Sequence, residues 1–155
     1  MRIDIGCGDR PRGDACVDSG AGAACTSTAH LDRYLEPLGF RYNPGAAIVR
    51  ADALEWLREH PPGPDDQVLM CHSLEHMERP LDVLRAAGGA GLIVVVVPNP
   101  LRNNADCADR SHLHSWTPCA LMNIMTRALP HHDIAVEAIE GDLDLMAAAR
   151  RAGGR

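Results

Sequence analysis

Apolar residues fall along the chain in short runs of two kinds. The first kind suits strands. Arg2–Ile5, Ala15–Val17, Ala46–Arg50 and Gln67–Cys71 are brief apolar stretches bounded by Gly, Pro, Asp or Ser. Leu92–Val97 is apolar at every position, as expected of a central parallel strand covered on both faces. The second kind has helical spacing. Leu31, Tyr34, Leu35 and Leu38 follow Thr28, and Gly39 would stop that helix. Asp52 can cap a helix over 53–60, with Leu54 and Leu57 on one face and Trp56 nearby. Pro80 suits the first turn of a helix reaching Ala87, and Thr117-Pro118 opens another to about Leu129. Ile134–Ile139 and Leu143–Ala149 flank Glu140-Gly141-Asp142, the spacing of a β-hairpin.

The predicted order is β, β, α, β, α, β, α, β, α, β, β. Such alternation implies an α/β fold, a Rossmann-like doubly wound seven-stranded sheet with right-handed crossovers. The sheet is mostly parallel, and the C-terminal hairpin places one antiparallel strand at an edge. With no internal repeat and no linker, residues 1–155 read as a single domain. In an open parallel sheet, ligands bind outside the carboxyl ends of the strands. Strand 1 ends there in Gly6-Cys7-Gly8, where the lack of a side chain lets backbone approach a ligand. Only nine residues, 9–17, separate Gly8 from Asp18. A dinucleotide-binding fingerprint places its acid about 20 residues on, after a full helix. That spacing lowers the case for an NAD enzyme, and it leaves the first crossover without room for a helix of ordinary length.

Composition narrows the classes. Hydrophobic residues make up 46% of the 155, enough for a globular core. The formal charge is −6 and aromatics are 3%, which argues against non-specific nucleic-acid binding and base stacking. The chain contains no Lys, so Schiff-base chemistry and a P-loop lysine are excluded. No apolar run approaches the length of a membrane span, and no signal peptide is evident, so the expected location is cytoplasmic. The six cysteines, at 7, 16, 25, 71, 107 and 119, include no Cys-x-x-Cys pair and read as free thiols.

Six segments in order give the chain a family resemblance. They are Ile3-Asp4-Ile5-Gly6-Cys7-Gly8, Val17-Asp18, Ala51-Asp52-Ala53, Cys71-His72-Ser73-Leu74-Glu75-His76-Met77, Gly88 through Pro100, and Ser111-His112 through Trp116-Thr117-Pro118. Together with the closing hairpin, they resemble the class I S-adenosylmethionine-dependent methyltransferases, in particular the short type 11 group. The resemblance implies S-adenosyl-L-methionine as cofactor. Gly6, Cys7 and Gly8 would pass beside its amino-acid part, and Asp4 would hold amide groups or its ammonium. Asp18 would accept from both ribose hydroxyls. Asp52 would accept from the adenine amino group, with the Ala53 N–H donating to the ring. Cys71 and His72 would line the floor under the sulfonium.

Methyl transfer needs a base only when the acceptor carries a proton of high pKa. His72 and His112 are the candidates, with a small-molecule acceptor expected. Some relatives bind a divalent ion through Glu-x-x-Glu-His and a later His. Here the pattern is His72-x-x-Glu75-His76 with His112, and the departure at its first position leaves no metal ligand assigned. Many relatives also have helices before strand 1. Their absence predicts an open site, completed by the 99–117 loop, by a second copy in a homodimer, or by a large substrate. Two other readings stay open: a non-catalytic cofactor-binding relative acting through a protein partner, and an NAD- or nucleotide-binding Rossmann protein.

Overall fold

A computed structural model of the chain describes residues 1–20, 28–102 and 110–153. Cys25 and Cys107 lie outside them. Seven strands form one sheet: β1 (Arg2–Ile5), β2 (Ala15–Val17), β3 (Ile48–Val49), β4 (Gln67–Cys71), β5 (Leu92–Pro98), β6 (His132–Ile139) and β7 (Asp144–Arg151). Their spatial order is β3-β2-β1-β4-β5-β7-β6. The chain starts in the middle of the sheet, winds to one edge and returns to wind to the other. β1 through β5 pair in parallel, whereas β7 is antiparallel to both β5 and β6. The antiparallel strand is therefore one place in from the edge. β6 takes the edge itself, and the hairpin folds β7 back into the gap beside β5.

Four described α-helices cover the sheet: α1 (Asp32–Leu35), α2 (Ala53–Glu59), α3 (Pro80–Ala87) and α4 (Pro118–Ala128). The segment expected as one helix over 28–38 is instead a single α-turn between two 3-10 turns, Ala29–Leu31 and Glu36–Leu38. Thr28 does not cap it with its side chain. Its hydroxyl and carbonyl instead accept from the Arg12 guanidinium.

Strand alternation divides the core. Ile3, Ile5, Val68, Met70, Ile93, Val95 and Val97 point towards α2, α3 and α4. Leu69, Cys71, Leu92, Val94 and Val96 point the other way, towards Leu31, Leu35 and Phe40. β1 and β2 are parallel neighbours although residues 6–14 between them hold no helix. A buried polar strut does the work of the missing crossover. Arg12, 3% exposed, donates to Asp32 at 3.0 Å, and its backbone N–H donates to Asp4 Oδ2 at 2.7 Å. Arg10 bonds the same Asp32 carboxylate from the other side.

Candidate active site

A cavity of about 1070 Å³ opens at the carboxyl ends of the parallel strands. That lies just above the common range for small-ligand sites, roughly 300–1,000 Å³. Gly6 and Gly8 form one wall. Gly6 has φ +71°, and a Cβ there would lie 2.3 Å from the Ser73 Cβ. Ser73 holds that spot because its buried hydroxyl donates to the Ile5 carbonyl at 2.9 Å. Glycine is thus required at position 6 both by conformation and by the approach of the β4 loop.

Asp18, just past β2, also faces the cavity. Its Oδ2 accepts from the Gly8 N–H at 2.8 Å, and its Oδ1 from the Gly20 N–H at 2.7 Å. The carboxylate therefore shapes the glycine turn. Arg50 adds an ion pair to Oδ1 at 3.0 Å, through a side chain that is 64% exposed. Such an exposed pair contributes little and can yield to a ligand. Asp52 caps α2: its Oδ1 accepts from the Leu54 and Glu55 N–H groups at 2.9 and 3.0 Å. The cap leaves Oδ2 for other partners, and Asp52 and Ala53 both line the cavity.

At the far end of the cavity are His72, Ser73, His76 and His112. Three backbone features bring them together. His72 follows β4 in a left-handed conformation, φ 51°, and its N–H donates to the Val96 carbonyl. A 3-10 turn over Leu74–His76 follows. The Glu75 carbonyl then accepts from the N–H groups of Leu113 and His114, at 2.8 and 3.1 Å, which draws His112 onto the turn. The His76 and His112 rings meet edge to face at 4.7 Å.

Glu75 is fully buried in this cluster, and neither carboxylate oxygen has a hydrogen-bond partner. Burial raises its pKa, against the lowering influence of His72, His76 and His112. One ligand atom each from Glu75, His76 and His112 lies within 4.8 Å of the others. An orphaned buried carboxylate beside two imidazoles fits a divalent cation such as zinc, manganese or iron. His76 Nδ1 sits 3.1 Å from the Ser111 carbonyl oxygen. The Ser111 Oγ lies at the same 3.1 Å from Nδ1, and when Nδ1 donates to the carbonyl the lone pair falls on Nε2, as in metal-binding imidazoles generally.

Seven of the residues expected from sequence line the cavity: Gly6, Gly8, Asp18, Asp52, Ala53, His72 and His112. Asp4, Cys7 and Cys71 are buried beside it instead. Asp4 braces the loop through Arg12, and its Oδ1 has no hydrogen-bond partner. Desolvation pushes its pKa up to about 7, opposed by the Arg12 backbone bond and charge. Cys7 is likewise shielded, which raises its thiol pKa strongly.

Sequence reasoning missed Asp144 and Arg50. Asp144, 2% exposed, begins β7, and its Oδ1 lies 3.2 Å from His72 Nε2. No local motif marks it, because its place depends on pairing with Pro98 at the end of β5. The exposed Arg50 follows a strand of two residues, with nothing in sequence to tie it to Asp18.

No protein-family profile and no curated protein sequence matches the chain. Solved structures do. A S-adenosylmethionine-dependent methyltransferase from Archaeoglobus fulgidus superposes with a TM-score of 0.67 at 18% identity, over 97% of this chain and 85% of that one. The small RNA methyltransferase HEN1 gives 0.63 at 16% identity, over 99% of this chain but only 23% of its own. The plantazolicin methyltransferase BamL, solved with a triazolic desmethylPZN analogue and S-adenosylhomocysteine, gives 0.60 at 10% identity, over 97% and 76%. With the strand order and the antiparallel β7, these likenesses show that the chain has the class I S-adenosylmethionine-dependent methyltransferase fold.

Proposed function

We propose that the chain is a S-adenosyl-L-methionine-dependent methyltransferase. One observation carries this reading most directly. The glycine turn after β1, the acid after β2 and the acid after β3 converge on a single cavity at the strand ends. The S-adenosylhomocysteine bound in the BamL structure, on the same fold, supports the cofactor.

When bound, the cofactor supplies an electrophilic methyl group on a sulfonium, open to in-line displacement. The protein's part is to position the nucleophile and exclude water. Gly6 and Gly8 let backbone pass against the amino-acid portion. Asp18 exchanges its exposed Arg50 contact for the ribose hydroxyls while the Gly8 bond keeps it oriented. Asp52 Oδ2 and the Ala53 N–H face the adenine.

The acceptor enters beside His72, Ser73 and His112. The space suits a small molecule or the tip of a larger one. Glu75, His76 and His112 would hold a divalent cation, whose chemistry is to lower the pKa of a bound hydroxyl. His112 then acts as a ligand; without a cation it is the group placed to take the acceptor's proton.

Transfer of labelled methyl from S-adenosylmethionine to a panel of hydroxyl and amine acceptors tests this reading. The expected result is product formation that falls at least tenfold in His112→Ala. Methyl transfer unaffected by that variant would remove His112 from the acceptor site. A protein that binds the cofactor yet methylates nothing in a broad panel would favour a binding role.

A further inference from the structure

Asp18 is the acid assigned to the ribose, and its carboxylate is already well occupied. Oδ2 accepts from the Gly8 N–H at 2.8 Å. Oδ1 accepts from the Gly20 N–H at 2.7 Å and from Arg50 Nη1 at 3.0 Å. A carboxylate offers about four acceptor positions, so these bonds leave one, whereas two ribose hydroxyls need two. One of the present donors has to leave. The Gly8 and Gly20 N–H groups belong to the backbone turns that shape the site, and Arg50 reaches Asp18 through an exposed side chain. We propose that Arg50 is a tethered stopper on Asp18, an internal competitor that lowers cofactor affinity through an ion pair that salt can loosen. The proposal rests on the cofactor reading above.

The fold keeps the stopper next to its seat. Val17 pairs with Val49, and the Asp18 N–H donates to the Val49 carbonyl at 3.0 Å. Arg50, the residue after β3, therefore starts beside the acid. Its side chain then crosses the 18–20 turn, where a Cβ on Gly20 would fall 3.1 Å from Nη1, 3.6 Å from Cζ and 3.8 Å from Cδ. The bare backbone at Gly20 is what lets the arginine lie there. So short a tether holds the guanidinium at high local concentration, and the contact reforms whenever the site empties. Release is easy all the same. Arg50 is 64% exposed and exchanges its bond for water, whereas Asp18, at 15%, stays oriented by Gly8 and Gly20. Exposed pairs of this kind are worth a factor of about five at most, which sets the scale of the effect. Asp52 lies two residues on and lines the same cavity, so one short segment carries both the stopper and the acid assigned to adenine.

Calorimetric titration of the full chain with S-adenosylhomocysteine tests the proposal. That ligand has no sulfonium and no net charge, so salt acts on the protein's own ion pair rather than on attraction of the ligand. Arg50→Met keeps an unbranched stem and removes the charge and the donors. It is expected to bind about two- to fivefold more tightly than wild type at low salt. The two should converge near 1 M salt, where the screening length is about 3 Å. In an Asp18→Ala background, Arg50→Met should change nothing, because the pair it relieves is gone. Equal binding by wild type and Arg50→Met at low salt would overturn the proposal. Weaker binding by Arg50→Met would overturn it too, and would make Arg50 a ligand contact. So would a gain that persists in the Asp18→Ala background, since it would not come from the pair. If wild type binds and Arg50→Met gains nothing, the cofactor reading stands and this proposal alone falls. If neither binds, the cofactor reading fails and takes this proposal with it.

Discussion

Gly6 shows how much one position can demand. Its φ of +71° lies in the region that costs a side-chain-bearing residue roughly 1–2 kcal/mol. The contact with Ser73 adds steric conflict to that cost. Gly6→Ala should lower unfolding free energy by more than about 2 kcal/mol in a urea titration, and Ser73→Gly should recover part of the loss. Equal stability of Gly6→Ala and wild type would contradict the packing described. Asp4 gives a pH signature. Its pKa, about 7 in the fold, lies above the unfolded value near 3.9. The folded state thus binds more protons than the unfolded one between those values. The stability available with Asp4 protonated, at low pH, is lost as pH rises towards 7. Asp4→Asn should remove that decline, which thermal unfolding between pH 4 and 8 would reveal. Gly6 and Asp18 were legible because a strand end followed by glycine or acid is a local pattern. His72 was legible as a pocket residue, but its left-handed backbone was not, and that angle decides which groups its ring meets.

The 6–14 connection is the element that ordinary rules disfavour. A parallel pair normally needs a crossover of a dozen residues or more. Here Arg12 reaches from that loop to Thr28 and Asp32, tying it to the turns around α1. Arg12→Ala should cost roughly 3–5 kcal/mol, as expected when one member of a buried ion pair is removed. Arg10→Ala removes a more exposed partner of the same Asp32 and should cost clearly less. Similar losses in the two variants, measured by denaturant unfolding, would show that burial of Arg12 does not govern the connection. A run such as Asp-Arg-Pro-Arg-Gly-Asp reads as a turn, and nothing in it announces a long-range strut. The same limit applies to the helix expected over 28–38, where Pro37 and the Arg12 bonds to Thr28 divide helical spacing into short turns. By contrast, α2 and α4 began where their caps were expected, since Asp52 and Thr117 each bond N–H groups of the first turn.

At the scale of the molecule, the sheet order carries the fold, and the proposed function rests on the cavity at its strand ends. The alternation of apolar runs made six of seven strands recognisable to within about a residue or two, because each buries one or both faces. β3 was overestimated, since only Ile48 and Val49 pair with β2. Where β7 would lie, and therefore where Asp144 would sit, could not be read from periodicity, which does not encode which strand a hairpin returns beside. No described helix is long and apolar enough to cross a membrane. In the proposed function, the acids after β2 and β3 bind the adenosine of S-adenosylmethionine. Isothermal calorimetry with S-adenosylmethionine, S-adenosylhomocysteine and NAD, on wild type and Asp18→Ala, tests it most directly. Binding of the first two and not of NAD is predicted, weakened at least tenfold by Asp18→Ala. Binding of NAD in their place, or S-adenosylmethionine affinity indifferent to Asp18, would contradict it.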